Sequence, residues 1–170
     1  MTLEQILTLS FIQGVTEFLP VSSSGHLVLT PALCGWKDQG LMMDVAAHMG
    51  TLGSVLLYFR KDVAALFKGT FSLLRGHFNE NTQLLVNLII ATLPVVLLGL
   101  IFEKFVGESL RSVTLIAWMS IVFGIILYIA DKYGHLVETV ADTTAKRALF
   151  FGLAQCVALV NGVSRSGACI

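Results

Sequence analysis

Three apolar runs, Leu41 to Phe59, Leu84 to Phe102 and Val113 to Ala130, constrain this chain more than any other feature it has. Each is long enough, at about 1.5 Å per helical residue, to cross a hydrocarbon core of about 30 Å. A water-soluble fold would have to hide all three. It would have little to hide them with, because only 13% of the 170 residues are charged, against about 25% in a typical soluble domain. With 55% hydrophobic residues and a mean hydropathy of +0.81, the expected class is an all-α, polytopic membrane protein. Lys+Arg and Asp+Glu are 11 each, so no basic excess exists to neutralise a phosphate backbone and no nucleic-acid partner is expected. Cys34, Cys156 and Cys169 form no CxxC pair. They are read as small buried hydrophobes, with neither a disulfide framework nor a zinc site.

The charges that exist are placed unevenly. The loop from Arg60 to Thr82 carries four Lys or Arg, the loop from Asp131 to Arg147 three, and the stretch from Glu103 to Ser112 two. The positive-inside rule therefore puts the first two loops in the cytoplasm and Gly40 outside. Asp62, Glu80, Asp131 and Asp142 are read as solvated loop charges. The first basic residue is Lys37, so the apolar N-terminus does not open like a signal peptide and is expected to be retained.

Two shorter apolar stretches, Leu3 to Pro20 and Ala148 to Val160, each run into Gly, Ser and polar residues. They are expected to be helices that enter the membrane and stop. Residues 13–25 (QGVTEFLPVSSSG) align without gaps to 155–167 (QCVALVNGVSRSG), an offset of 142. Six of the thirteen positions are identical, where chance gives about one. Three spans separate the copies, so the second would enter from the opposite side, the inverted-topology arrangement whose sites form from broken helices. The expected organisation is a first repeat over 1–142, with a re-entrant broken-helix segment at 3–35 and spans at 41–59, 84–102 and 113–130. A second repeat would begin at 143–170. A repeat of that size implies a whole about twice as long, so the chain is expected to be a fragment.

Chemistry concentrates in the two motifs. Three consecutive hydroxyls, Ser22, Ser23 and Ser24, at a helix start can cradle an anion with free backbone N–H groups. The bland reading is a Pro/Ser/Gly turn at the membrane surface. In the second copy Arg165 replaces the middle serine between Ser164, Ser166 and Gly167, and its guanidinium fork suits a phosphate, though it could instead reach headgroups or a structural carboxylate. If the two broken segments meet, Arg165 faces the serines, His26 and Glu17. Glu17 and Gln13 share a helical face. The Glu17 carboxylate could bind Mg²⁺ or Ca²⁺, act as a general base, or pair with Arg165. His26 could move a proton or merely hold a turn. Asp44 and His48, four apart in the first span, are read as a polar seam or a supporting layer of the site.

On QGVTEFLPVSSSGH at 13–26 and GVSRSGA at 162–168, the chain resembles the undecaprenyl-diphosphatase (bacitracin-resistance) family of bacterial membrane enzymes, over about the first two thirds of a typical member. The resemblance implies a multi-pass protein of the bacterial plasma membrane that removes the terminal phosphate from undecaprenyl diphosphate and so recycles the lipid carrier of cell-wall synthesis. It implies Glu17, Ser23, His26 and Arg165 as catalytic residues, and Gln13, Ser22, Ser24, Ser164, Ser166 and Gly167 as substrate-binding residues. A divalent cation, Mg²⁺ or Ca²⁺, would sit on Glu17. Relatives often open the first motif with Glu, so Gln13 leaves Glu17 the sole motif carboxylate. Asn161 and Cys169 stand where Pro and Thr are common.

The expected mechanism is attack by Ser23, with His26 or Glu17 taking its proton, or attack by a metal-activated water. The site would face the extracytoplasmic side, and a homodimer is compatible with the sequence. A transporter or flippase for lipid phosphates, binding in the same cradle without cleavage, is the rival expectation. A third is a remnant of low activity that lacks the spans needed to hold Arg165.

Overall fold

The computed structural model describes residues 1–106, 112–133 and 143–169, and the described residues fold entirely into helices and connections. The first helix, α1 (Leu3–Thr16), starts on a reciprocal cap in which the Thr2 hydroxyl accepts from the Gln5 amide and the Gln5 side chain accepts from the Thr2 amide. That satisfies two of the donors a helix start leaves open. After a turn through Pro20, α2 (Ser23–Cys34) begins on Ser22, whose hydroxyl accepts from the Gly25 amide. It closes with Gly35 at φ +68°, a left-handed conformation that glycine adopts without cost, while Trp36 N–H bonds back to Pro31. The expected re-entrant segment at 3–35 is therefore a helical hairpin. At 14 residues, α1 is about 21 Å long, too short to span alone.

Next come α3 (Leu41–Tyr58), α4 (Arg60–Leu74), α5 (Glu80–Val106) and α6 (Val113–Tyr133). Three of these, α3, α5 over Glu80–Phe102 and α6, are long and apolar enough to cross a membrane. They coincide with the three expected spans, each extended or trimmed by a few residues. The chain ends in α7 (Ala145–Val157) and α8 (Arg165–Ala168).

Three expectations need correction. The segment from Arg60 to Thr82 is not a loop but mostly helix α4, an amphipathic helix whose apolar residues are too interrupted by charge to read as a span. Asp62, Glu80 and Asp131 are exposed as expected, but they lie on helices, in the first turns of α4 and α5 and the last turn of α6. Asp142 lies outside the described residues. Cys34 is exposed and Cys156 and Cys169 are half-buried, because so little of this fold is interior.

Only Leu9, Leu27, Val28, Ile116, Ala148 and Val163 form a buried apolar core among the described residues, while dozens of large apolar side chains stand exposed. In water such a surface would aggregate; against lipid tails it costs nothing. The interior clusters where the broken segments meet α6. Ile116 is 0% exposed and sits between the two motifs: a Cβ on Gly25 would lie 3.2 Å from its side chain, and one on Gly162 2.6 Å from its carbonyl oxygen. Gly162 also has φ +99°, so glycine is required there twice over, for backbone and for space.

The repeat read from the sequence recurs in the caps. Helices α1 and α7 both start on a threonine, Thr2 at φ −82°, ψ 161° and Thr144 at φ −84°, ψ 161°. Ser22 caps α2 by accepting from Gly25 at 3.2 Å, and Ser164 caps α8 by accepting from Gly167 at the same distance. Each equivalent pair is 142 residues apart.

Candidate functional site

Glu17 stands at the C-terminal end of α1, where the helix gives way to the Pro20 turn, so its carboxylate points toward the start of α2. Three side chains converge on its Oε2. Ser23 Oγ donates to it at 2.6 Å, Gln13 Nε2 donates at 3.0 Å from one turn back on α1, and His48 Nε2 lies 3.6 Å away on α3. The short Ser23 bond is of the charge-assisted kind. A hydroxyl held this way has a base already in place for its proton.

Gln13 is 1% exposed. Its amide also donates to Thr51 Oγ1 on α3 at 3.3 Å, and the Thr51 hydroxyl in turn donates to the carbonyl of His48. The other end, Gln13 Oε1, is buried with no hydrogen-bond partner. A buried carbonyl oxygen without a hydrogen-bond partner, next to a carboxylate, has the chemistry of a ligand for a hard cation. No group of three or more His, Cys, Asp or Glu is assembled among the described residues. The donors present, Glu17, Gln13 Oε1 and Ser23 Oγ, match an ion that keeps several waters and completes its shell with substrate phosphates. They fit Mg²⁺ better than a cation needing an all-protein cage.

The rest of the serine run does structural work. Ser22 is 7% exposed, and its hydroxyl faces Ser24 Oγ at 3.3 Å while accepting from Gly25 and, across 140 residues, from the Gly162 amide at 3.2 Å. A second bond joins the motifs where Ser166 Oγ donates to the Leu19 carbonyl at 3.3 Å. Ser164 caps α8 and faces Ser166 at 3.0 Å. The two copies of the motif do meet, loop against loop.

Two predicted participants are placed differently from expectation. His26 Nδ1 is engaged with the Ser22 carbonyl at 2.8 Å, so the group at Ser23 is Glu17 and not His26. Arg165 is exposed, and its side chain makes no hydrogen bond or ion pair with a described residue. It does not pair with Glu17. The reason is rotational: α8 packs through Gly167, where a Cβ would lie 3.6 Å from Leu127, and residue 165, two positions earlier, is turned about 200° away.

His48, read from the sequence as part of a polar seam or a supporting layer, lies beside the Glu17 carboxylate. Its spacing from Asp44 put both on one face of α3, but nothing in one dimension says which helix that face meets. In the fold, His48 Nδ1 is engaged with the Asp44 carbonyl at 2.8 Å, which aims Nε2 at Glu17. Asp44, 8% exposed, accepts from Gln39, whose amide also donates to the Leu27 carbonyl on α2. This bridge ties α3 to the serine-bearing helix.

Comparison with known proteins comes from two directions. Undecaprenyl-diphosphatase of Saccharophagus degradans is 49% identical over 94% of this chain and 60% of its own length. The proteins of the same name from Aliivibrio salmonicida and Jannaschia sp. are 45% and 47% identical, each over 98% of this chain and 63% of their own length. The chain thus spans about three fifths of the curated relatives it matches. The family model described as bacitracin resistance protein BacA matches residues 6–170. A match that opens inside α1 and runs through both serine motifs leaves one assignment: this chain belongs to the BacA family.

Proposed function

We propose that the protein hydrolyses undecaprenyl diphosphate to undecaprenyl phosphate and inorganic phosphate, returning the lipid carrier to cell-wall synthesis in the bacterial plasma membrane. The observation that carries this reading is the 2.6 Å bond from Ser23 to Glu17, a nucleophile and its base in contact. Ser23 Oγ attacks the terminal phosphorus as its proton passes to Glu17. The bond to the bridging oxygen breaks, and undecaprenyl phosphate leaves with that oxygen. Glu17 passes that proton to the departing undecaprenyl phosphate and is a carboxylate again; water then attacks the phosphoserine with Glu17 as base, the P–Oγ bond breaks, and the proton goes from Glu17 to Ser23 Oγ as inorganic phosphate leaves.

The tail stays among the lipid-facing helices while the headgroup enters the polar hairpin from the extracytoplasmic side, as the distribution of basic residues favours. Glu17 and Gln13 Oε1 would hold a divalent cation, which supplies charge neutralisation for the diphosphate. Arg165, exposed on α8 and not in contact with Glu17 or Ser23, would have to swing toward the hairpin to reach the phosphoryl oxygens. Inverted topology of the two repeats would bring a second broken hairpin to the same level of the membrane.

Phosphate release from farnesyl diphosphate in detergent, with and without EDTA, tests this. The assay compares the 170-residue chain with one extended to its relatives' length. Ser23→Ala and Glu17→Gln are expected to lower release by about 10²- to 10⁴-fold, and acid-quenched enzyme to carry phosphate on Ser23. Near-normal turnover by Ser23→Ala would remove the covalent route. Binding without release by the extended chain would make the protein a lipid-phosphate carrier.

A further inference from the structure

Helix α4 is amphipathic, and the reaction site uses none of it. At about 100° per residue, Arg60, Lys61, Lys68 and Arg75 fall within one arc of about 100°, with Phe67 and Phe71 beside and among them. Gly69 lies on the opposite side, buried against the start of α5, where a Cβ would come within 2.5 Å of the Asn81 carbonyl oxygen. The lone acidic residue of the helix, Asp62, also points away from the basic arc. Between α4 and α5 opens a groove of about 590 Å³ lined by Lys68, Arg75, Ser72, Asn79, Phe67 and Phe71. Arg75 lies 4.7 Å over the Phe71 ring, and Asn79 donates to Ser72 at 3.1 Å.

The height of this groove is fixed by its neighbours. Asn81 is one residue inside α5, whose apolar run opens at Leu84, and α3 ends its span at Tyr58, two residues before α4 begins. The Gly69 contact holds the middle of α4 at the membrane-entering end of α5, which is headgroup level. Phe67, Phe71, Leu74 and Phe78 are 74%, 59%, 80% and 77% exposed. A soluble anion would satisfy the cations and leave these four side chains in water. A lipid satisfies both.

We infer that the groove binds the phosphate headgroup of an anionic membrane phospholipid. Lys68 and Arg75 take the phosphate oxygens, Ser72 and Asn79 offer neutral donors beside them, and Phe67 and Phe71 lie along the acyl chains. The inference is independent of the reaction proposed above.

Native mass spectrometry of the detergent-purified protein, with phosphatidylglycerol or phosphatidylcholine added, reads it directly. Phosphatidylglycerol is expected to be retained over phosphatidylcholine, and Lys68→Gln/Arg75→Gln to weaken that retention about tenfold to thirtyfold. Lys68→Arg/Arg75→Lys keeps it, and millimolar inorganic phosphate fails to displace it. Phe67→Ser/Phe71→Ser, with every charge intact, weakens it as well. Equal retention of the two lipids, an unchanged Gln variant, or displacement by inorganic phosphate would each overturn the assignment. Should the Gln double variant fail to fold, Lys68→Gln alone decides between the same outcomes.

Discussion

Thr51 contributes nothing that could touch a phosphate, yet its hydroxyl accepts one hydrogen of the Gln13 amide while Glu17 accepts the other. The orientation of the amide is thereby fixed. Thr51→Val keeps the shape and removes the acceptor; leaving a buried N–H unpaired costs about 1–3 kcal/mol, and the thermal midpoint in detergent should fall accordingly. His48 acts through Glu17 rather than on substrate. His48→Ala is expected to lower kcat about tenfold with KM little changed, because the carboxylate loses the neighbour that orients it. His48→Gln, which can still donate, should recover part of the rate. No recovery of kcat in His48→Gln over His48→Ala would reduce His48 to a packing role.

At the level of elements, the fold is fastened where helices come closest. Ile116 separates the two motif loops, and Ile116→Ala would open a cavity worth about 2–5 kcal/mol in the place where Ser22 meets Gly162. We expect both a lower unfolding temperature and a loss of phosphate release, since the two motifs lose their common wall. Helices α5 and α7 touch at Gly152, where a Cβ would come within 2.5 Å of the Ala91 carbonyl oxygen, and Asn87 donates to the Thr143 carbonyl at 2.6 Å just before α7 starts. Close approach of this kind is how membrane helices gain packing energy without a hydrophobic driving force. Gly152→Val should therefore cost more than about 1–3 kcal/mol, seen as a lower midpoint of thermal unfolding in detergent. Helix α4 was the element least visible in one dimension. Its apolar residues are preceded by Arg60, Lys61 and Asp62 and interrupted by Lys68, so it lacks the continuous run that marks a span, and a helix lying at an interface needs none.

For the molecule as a whole, the distribution of basic residues makes a prediction about sidedness. With a membrane-impermeant maleimide, Lys37→Cys in a cysteine-free background should label in intact cells, and Arg75→Cys only after permeabilisation. The reverse pattern would invert the protein and put the serine hairpin at the opposite surface. The small interior is itself a whole-molecule property. Most apolar side chains of α3, α5 and α6 face outward, so the solvent that holds this fold is lipid, and the polar hairpin is one of the few protected places among the described residues.

The sequence by itself determined the class of fold, the three apolar helices, the break in helix within 3–35 and the likeness of the two serine motifs. These are written in local run length, in caps and in a repeat, all of which survive reading in one dimension. It also put Glu17, Ser23 and Gln13 in one motif, close enough along the chain for short-range geometry to bring them together. Only the tertiary structure decided that Glu17, and not His26, is the group bonded to Ser23. It also brought His48 from α3 to that carboxylate and Thr51 to the Gln13 amide, and turned Arg165 outward on α8. The physical reason is rotation: a helix presents a different residue every 100° or so, and which of them meets a neighbour is set by how helices pack.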